Sequence, residues 1–280
     1  MALFNRVTIV GLGLIGGSVG MAVKRRRLAR RVVGFSRRPA TLQRAKRCGV
    51  IDAGTTDLHR AVRDADLVIL ATPVDTIVPL ARRAASFMSA GSILTDVGST
   101  KETIVRALEG RLPRGIAFVG AHPLAGSERS GIATARTDLF RGSVCIVTAT
   151  SRTNRRALER VRRLWQTLAR HVLVMQPARH DRLLAQVSHL PHMVAFCLVA
   201  AAGDEALAIA PRSFLDATRV AKSDPWLWES IFLSNRAHVT AAMKRFERQW
   251  QMLRARLAWT DRPALHRFLV SAKSKRDALD

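Results

Sequence analysis

Strand-like and helix-like segments alternate through the first 175 residues, and this alternation restricts the possible folds more than any other feature. Short runs rich in Val, Ile and Leu have the composition of buried β-strands, and stretches with amphipathic helical spacing separate most of them. The runs are VTIVG, RVVGFS, ADLVILAT, SILTDVG, IAFVGAH, SVCIVTA and HVLVMQ. Such alternation is typical of a mainly parallel, doubly wound sheet. We therefore predict an α/β domain over residues 1–175.

The pattern changes after Pro177. From there to the C-terminus strand signals are absent, and long apolar helical segments follow one another. We predict an all-helical second domain over residues 176–280, with the boundary near Met175. Helices this apolar usually bury one face against a partner, so we expect a homodimer.

A glycine-rich loop follows the first predicted strand. Gly11, Gly13 and Gly16 have the spacing G-x-G-x-x-G between a strand and a helix, which is the context of a dinucleotide-binding loop. The first glycine permits a tight turn, the second admits a pyrophosphate, and the third lets the helix pack on the strand. We expect these glycines, with Leu14 and Ile15, to bind a dinucleotide at the helix N-terminus.

The end of the second predicted strand bears on which dinucleotide binds. NAD-selective folds usually carry Asp or Glu there, whereas this chain has Ser36, Arg37 and Arg38. A hydroxyl and two guanidinium groups suit a 2′-phosphate, which favours NADP, with NAD as the alternative. Thr72 and Pro73, at the end of another predicted strand, are expected to line the same cofactor site.

The charge balance is strongly basic. Lys and Arg number 46 against 21 Asp and Glu, a formal net charge of +25. Such a field attracts nucleic acid, acidic lipid and phosphorylated or carboxylated metabolites alike. The basic residues are spread along the chain without a basic–aromatic stripe, so a nucleic-acid-binding protein is the weaker alternative, and no nucleic-acid partner is expected.

The cysteines and the apolar runs bear on location. Cys48, Cys145 and Cys197 lie far apart without CxxC spacing, which argues against a disulfide framework or a zinc site and for a reducing compartment. Strand-like residues begin near Arg6, so we expect no signal peptide. The longest apolar run, Met193 to Gly203, has 11 residues, too few to span a bilayer. We expect a cytoplasmic protein that has no membrane partner.

Candidate acid–base and anion-binding groups lie in both parts of the chain. His122 follows a predicted strand in the loop GAHPLAGSERSG, where an imidazole over a cofactor takes a proton from an alcohol while hydride leaves the same carbon. Arg219 lies in an apolar context, so we expect it to be semi-buried and to need a carboxylate, from a substrate or from Asp216 one turn earlier. His189 and His192 are three residues apart, but no third ligand is evident, so a metal site is rejected.

Five motifs resemble those of a known family. GLGLIGGS, DVGSTK, GAHPLAGSERSG, SHLPH and DATRVAKSDPWLW, in this order, are similar to the motifs of the prephenate/arogenate dehydrogenase family of tyrosine biosynthesis. The resemblance covers nearly the whole chain. It implies a Rossmann-type nucleotide-binding domain followed by a helical dimerisation domain. It also implies oxidative decarboxylation of prephenate or arogenate, with hydride transfer to NAD(P)+.

The same resemblance implies roles for individual residues. His122 matches the catalytic histidine, and Ser99 matches a serine beside the substrate hydroxyl and the nicotinamide. Arg219 matches the arginine that binds a substrate carboxylate. The other residues predicted around the substrate are Ser127, Glu128, His189, His192, Asp216 and Trp228.

Alternatives within the enzyme class stay open. Two-domain hydroxyacid dehydrogenases of the 6-phosphogluconate or β-hydroxyacid type place a catalytic Lys on the helix that begins the second domain. The corresponding stretch here, HDRLLAQVSHLPH, has no Lys. A catalytically silent cofactor sensor is a further alternative, although His122 and Arg219 give no reason to prefer it. Of the two family substrates, prephenate is favoured by His192, the second histidine of SHLPH.

Overall fold

The computed structural model describes residues 2–127 and 131–279. The chain divides into two compact units, one ending at Asn235 and one beginning at Arg236. The first unit contains an eight-stranded sheet with the order β3-β2-β1-β4-β5-β6-β7-β8. Its strands are β1 (Phe4–Val10), β2 (Ala29–Phe35), β3 (Ala53–Thr55), β4 (Leu67–Leu70), β5 (Ile93–Asp96), β6 (Ala117–Pro123), β7 (Val144–Thr148) and β8 (His171–Met175).

Helices connect most of these strands and then continue without further strands. Between strands lie α1 (Leu14–Arg25), α2 (Pro39–Arg47), α3 (Leu58–Val62), α4 (Val74–Ala85), α5 (Glu102–Leu108) and α6 (Arg155–Leu168). After β8 the first unit has α7 (Pro177–Leu184), α8 (Leu190–Ala201), α9 (Asp204–Ala208), α10 (Arg212–Thr218) and α11 (Pro225–Ser234). This order confirms the predicted α/β part followed by a helical part.

The sheet is parallel from β3 to β6, and β7 runs antiparallel to β6. Parallel neighbours need a crossover, usually a helix, whereas antiparallel neighbours do not. In the described part of the β6–β7 connection the only helical element is a 3₁₀ turn, Ile132–Thr134. The expected mainly parallel sheet is therefore confirmed, with one reversal that follows from this connection.

Helices cover both faces of the sheet, which explains its apolar strands. In β4, Leu67 and Ile69 join one apolar cluster while Val68 and Leu70 join another. Successive strand residues point to opposite faces, so a strand buried on both sides reads as an unbroken apolar run. β4 is therefore buried on both faces of the sheet.

The helical segment after β8 contains a π-helical turn. Ala185–His189 is π-helical and joins α7 to α8. Pro191 lies just beyond it and has no N–H to continue the α-helical ladder, which gives a local reason for the irregularity. The turn carries Ser188 and His189, so the irregular backbone lies where the motif SHLPH begins.

This helical segment is longer than the apolar run in the sequence suggests. Pro177–Ala201 forms 25 continuous helical residues, and an 18-residue window has mean hydropathy 1.6 with 22% of it buried. By length and composition alone, this helix could cross a membrane, and the expectation of no membrane partner stays a prediction. An apolar helix that packs against other protein passes the same test.

The second unit is a helical hairpin of α12 (Arg236–Ala258) and α13 (Arg262–Asp277). Asp261 caps α13, because its side chain accepts a hydrogen bond from the backbone N–H of Ala264 at 3.0 Å. The Arg256 guanidinium lies over the Phe268 ring, 5.3 Å from its centroid. These contacts fix the turn between the two helices.

The compact units divide at a different place from the predicted boundary at 175. Trp228 and Ile231 of α11 belong to the same apolar cluster as Val74 and Ile77 of α4. Helices that follow the sheet in sequence therefore pack in the same unit as the sheet. The predicted domain boundary near Met175 therefore stays a prediction.

Candidate active site

The glycine loop has the geometry of a phosphate-binding turn. Gly11 has φ +96°, and a Cβ there would lie 2.5 Å from the carbonyl oxygen of Ala71. A Cβ at Gly16 would lie 2.0 Å from the carbonyl oxygen of Gly11. At Gly13, by contrast, a Cβ would meet no protein atom within 4 Å. The outer two glycines are needed for packing, whereas the middle one leaves open the approach to the N-terminus of α1, where a pyrophosphate fits.

The start of α1 suits an anion in charge as well. The first turn of α1, which includes Leu14 and Ile15, contains no acidic residue, and no side chain caps it. The first N–H groups of a helix lack intrahelical acceptors and carry a partial positive charge. The loop therefore fits the pyrophosphate of a dinucleotide.

Ser36, Arg37 and Arg38 follow β2, the strand beside β1. The Ser36 hydroxyl accepts a hydrogen bond from the backbone N–H of Arg38 at 3.2 Å, which orders the turn. Both arginines are exposed, and within the described chain neither guanidinium has an acidic partner. Their charges remain available to a phosphate.

Four parallel strands bring their ends to one edge of the sheet. β1, β4, β5 and β6 are parallel neighbours, so their C-terminal ends lie side by side. The residues at or just after these ends are the glycine loop, Thr72-Pro73, Asp96 and His122. Thr72 lies against the glycine loop, because its methyl carbon would be 2.8 Å from a Cβ at Gly11. Ligands of open α/β sheets bind at this edge.

A buried ion pair lies beside this edge. Lys101 and Asp96 have fully buried side chains and form a salt bridge. Asp96 also accepts a hydrogen bond from the backbone N–H of Gly98 at 2.8 Å. Burial raises the pKa of Asp96, and the charge of Lys101 opposes that rise. Ser99, half-buried, lies between the two paired residues in sequence.

His122 is the first member of a chain of hydrogen bonds. Its Nδ1 lies 2.8 Å from Nε2 of His180, and Nδ1 of His180 lies 2.7 Å from Oδ1 of Asp181. His180 and Asp181 are buried, and both lie in α7. These hydrogen bonds link the end of β6 to α7, which begins 54 residues later in the sequence (Pro123 to Pro177).

Asp181 is held by the backbone of another element. Its two carboxylate oxygens accept hydrogen bonds from the N–H groups of Lys101 and Glu102, at 2.8 and 2.9 Å. Burial opposes ionisation of Asp181, but the hydrogen bonds from His180 and these N–H groups outweigh it, and the pKa lies below its usual value. Asp181 is therefore a carboxylate at neutral pH.

His122 and His180 are both neutral. Burial, followed by the neighbouring His180 and Lys101, holds the pKa of His122 well below 6.5. Burial also lowers the pKa of His180, and Asp181 opposes that change. A neutral imidazole is the form that accepts a proton.

His189 is buried and is joined to Asp181 through Asn235. Burial lowers its pKa to about 4. Asn235 donates a hydrogen bond to the carbonyl oxygen of Asp181 at 2.9 Å, and the same amide nitrogen lies 3.1 Å from Nδ1 of His189. Nδ1 therefore accepts and the ring proton is on Nε2, a buried donor with no protein partner among the described residues.

His192 and Trp228 form a stacked pair. Their ring centroids are 3.5 Å apart at 24°, and Nδ1 of His192 lies 2.9 Å from the carbonyl oxygen of Ser188. Trp228 is buried, so this stacking contact holds the His192 ring in place. Burial lowers the pKa of His192, and the positive charge of Arg219 adds to this effect.

Two expectations about Arg219 need correction. The residue is exposed rather than semi-buried. Asp216 forms its ion pair with Arg212, at 3.4 Å, because residues four apart lie on the same helix face. Arg219 follows α10 in a 3₁₀ turn, Arg219–Lys222. Its positive charge lowers the pKa of His192. Arg219 therefore lies near the histidine cluster, which we define as His122, His180, His189 and His192.

Other predicted residues are placed less informatively. Ser127 is exposed in the loop after β6, and Glu128 lies outside the described residues. No group of three or more His, Cys, Asp or Glu side chains with metal-binding geometry occurs within residues 2–127 and 131–279. The roles of all these site residues stay predictions.

Sequence patterns missed the residues that support His122. His180 and Asp181 lie in HDRLL, a stretch considered only for a lysine, and Lys101 and Asp96 were part of a quoted motif without a role. Asn235 had no signal at all. An adjacent His-Asp pair at the start of the second helical region is the one feature that could have indicated the hydrogen-bond chain.

Comparisons with known proteins cover the whole chain. A family model described as "Prephenate dehydrogenase, nucleotide-binding domain" matches residues 19–174. A second, "Prephenate dehydrogenase, dimerization domain", matches residues 176–271. These two matches leave the first 18 residues, Met175 and the last nine residues unmatched.

Individual relatives agree with the family models. Prephenate dehydrogenase of Bacillus subtilis is 34% identical over 98% of this chain and 76% of its own length. Cyclohexadienyl dehydrogenase of Zymomonas mobilis is 32% identical over 100% and 97%. A crystal structure of prephenate dehydrogenase from A. aeolicus, in complex with hydroxyphenyl propionate and NAD+, is 35% identical, covers 99% and 98%, and has a TM-score of 0.91. The chain belongs to the prephenate dehydrogenase family.

Proposed function

We propose that the chain catalyses the oxidative decarboxylation of prephenate to 4-hydroxyphenylpyruvate, with NADP+ as the hydride acceptor. The observation that carries the proposal is a neutral, half-buried His122 at the same sheet edge as the glycine loop, in a chain of this family. Arogenate is the alternative substrate, because it is also a cyclohexadienol and the Zymomonas mobilis relative is named a cyclohexadienyl dehydrogenase.

The residues at the sheet edge fit a nicotinamide dinucleotide. Gly13 and the N-terminus of α1 would hold the pyrophosphate, and Thr72 and Pro73 would line the adjoining surface. When bound, the nicotinamide supplies the acceptor for a hydride. Ser36, Arg37 and Arg38 favour a 2′-phosphate, whereas the A. aeolicus structure contains NAD+, so NAD+ is the alternative cofactor.

His122 takes the proton of the substrate's ring hydroxyl. Loss of that proton lets the oxygen become a carbonyl as the carbon is oxidised, and a positioned base contributes roughly 10²–10⁴-fold to such a step. Ser99 would hydrogen-bond the same hydroxyl. Loss of CO₂ then makes the ring aromatic, so the protein's main task is positioning.

Positive and donor groups of the histidine cluster suit the substrate's acidic groups. The Arg219 guanidinium can hold a carboxylate through two charge-assisted hydrogen bonds at a fixed angle. Nε2–H of His189 is a buried donor that suits an oxygen of the substrate. His192, held by Trp228, would form another wall of the pocket, and Ser127 and Glu128 would complete it.

We further propose that the chain forms a homodimer in the cytoplasm. The dimerization-domain model covers residues 176–271, and the described residues there expose several large apolar side chains. Free, exposed Cys48 and Cys197 suit a reducing compartment. The exposed apolar residues include Val187, Ile209, Leu215, Trp226, Leu233, Trp250 and Trp259.

A dehydrogenase assay tests the proposed reaction. The purified chain is given the four combinations of prephenate or arogenate with NADP+ or NAD+, and the near-ultraviolet absorbance of the reduced nicotinamide is followed. We expect the highest kcat/KM with prephenate and NADP+. Absence of turnover with every pair would exclude the proposed reaction.

The cofactor preference depends on two exposed guanidinium groups. Changing Arg37 and Arg38 together to alanine should raise KM for NADP+ about tenfold or more, since hydrogen bonds to a charged group contribute roughly 1.5–3 kcal/mol. KM for NAD+ should change little. Arg30 and Arg31, which are both exposed in the preceding strand β2, give a matched control. An equal loss with both cofactors would contradict a 2′-phosphate contact.

Arg219→Lys should raise KM for the substrate, because lysine retains the charge but loses the planar fork that binds a carboxylate at two points. Arg212→Lys is a matched control, since Arg212 is exposed on the preceding helix and pairs with Asp216. The measurement is steady-state kinetics at saturating cofactor. An unchanged KM in Arg219→Lys would remove this residue from the carboxylate site.

A further inference from the structure

We propose that His180 and Asp181 are positioning residues that hold the ring proton of His122 on Nδ1, so that Nε2 is the atom that takes the substrate's proton. The inference rests on the proposed function for its chemistry, but the tautomer itself is a property of the free protein. Neither residue needs to touch the substrate. Both act through His122.

The Asp181 carboxylate can only accept hydrogen bonds. Its carboxylate receives the N–H groups of Lys101 and Glu102 at 2.8 and 2.9 Å. Accepting two backbone N–H groups favours the ionised carboxylate, which has no proton to donate. Nδ1 of His180, at 2.7 Å from Oδ1, must therefore be the donor.

The tautomer of His180 determines which nitrogen of His122 carries a proton. A neutral imidazole has one N–H and one lone pair, so Nε2 of His180 carries the lone pair once Nδ1 carries the proton. Nδ1 of His122 lies 2.8 Å from that Nε2, and the two rings meet edge to face at 61°. Nδ1 of His122 is consequently the donor, and its lone pair is on Nε2, for which the described residues offer no hydrogen-bond partner.

The same contacts orient His122 for the proton transfer. When the substrate's O–H bond breaks and an N–H bond forms at Nε2, the ring becomes a cation that burial, His180 and Lys101 disfavour. The lone pair of His180 faces the Nδ1–H of this cation, and the Asp181 carboxylate lies one ring further away. In Ser-His-Asp hydrolases a carboxylate contacts the second nitrogen of the catalytic imidazole directly, whereas here His180 lies between Asp181 and His122.

Nitrogen NMR of the free protein tests the tautomer. The chain is labelled with ¹⁵N-histidine, and the signals of His122 are assigned by their disappearance in His122→Asn. Protonated and bare ring nitrogens differ in chemical shift, so the spectrum reports which nitrogen carries the proton. We expect Nδ1–H in the wild type. A proton on Nε2 of His122, or rapid exchange between the two tautomers, would overturn the inference.

A pair of substitutions at His180 tests its effect on the reaction. His180→Leu removes the acceptor for His122, whereas His180→Gln retains one donor and one acceptor on a planar group. We expect His180→Leu to lower kcat by roughly 10–100-fold, by analogy with the cost of losing the residue that orients a metal-bound histidine, with KM unchanged. His180→Gln should retain more activity and keep the Nδ1–H signal of His122.

Two outcomes of the variant series overturn the inference. One is a wild-type kcat in His180→Leu, and the other is an equal loss in both variants with an unchanged His122 spectrum. Dinucleotide affinity and Tm show whether each variant is folded, and the NMR result stands if His180→Leu is not. Absence of wild-type turnover combined with Nδ1–H on His122 would refute the proposed reaction while the tautomer assignment holds.

Discussion

His122→Asn is expected to lower kcat by about 10²–10⁴-fold, the contribution of a well-positioned general base. Asparagine is polar and of similar size, but it cannot take up and hold the substrate's proton. Dinucleotide affinity should be unchanged, because Gly11, Gly13 and Gly16 lie after a different strand from His122. The measurements are steady-state kinetics and direct binding of the dinucleotide.

A matched control separates this effect from general damage. His59 is exposed on α3 and packs beside Phe87, with ring centroids 5.1 Å apart. His59→Asn should leave kcat unchanged. A kcat for His122→Asn that is close to that of His59→Asn would exclude His122 as the base.

The pH profile of the wild type provides a second check on His122. Only the neutral ring accepts a proton, and burial, His180 and Lys101 hold the pKa of His122 well below 6.5. The rate should therefore be insensitive to pH above 6.5 and should fall only at lower pH, as His122 becomes protonated. An acid limb centred at or above 6.5 would contradict the observed burial.

The strands that could be predicted are those with many apolar residues. β4, with the sequence LVIL, is buried on both faces and reads as an apolar run. β3 was missed because it is Ala53–Thr55, three small residues at the edge of the sheet. The reversal between β6 and β7 was also missed, since strand composition does not report direction. Periodicity describes local burial, and pairing direction depends on the connection between strands.

The candidate site shows the same division between local and long-range information. The glycine loop lies within one strand–turn–helix unit, so its spacing alone predicts its geometry. The contact of His122 with His180 joins residues 58 apart, and no local pattern encodes it. Asp216 was predicted as a partner of Arg219, three residues later in the sequence. It instead forms an ion pair with Arg212, four residues earlier. Helical spacing allows both pairings, and only side-chain packing chooses between them.

Lys101→Met is expected to lower the free energy of unfolding by about 3–5 kcal/mol, because it leaves the buried Asp96 carboxylate without its counter-charge. Both side chains are fully buried, so water cannot replace the lost partner. Asp96→Asn should be destabilising for the reciprocal reason. The measurement is denaturant unfolding at one fixed protein concentration, since a dimer's stability depends on concentration.

The double variant Lys101→Met/Asp96→Asn separates the ion pair from the packing around it. Removing both charges leaves no uncompensated buried ion, so the double variant should be more stable than the sum of the single effects predicts. Lys273→Met is a control, because Lys273 forms an exposed pair with Asp277, and exposed pairs contribute little. If the two buried substitutions were additive, the salt bridge would not be coupled. The Lys101 charge would then act on neighbours other than Asp96, such as His122 and His180, whose pKa values it lowers.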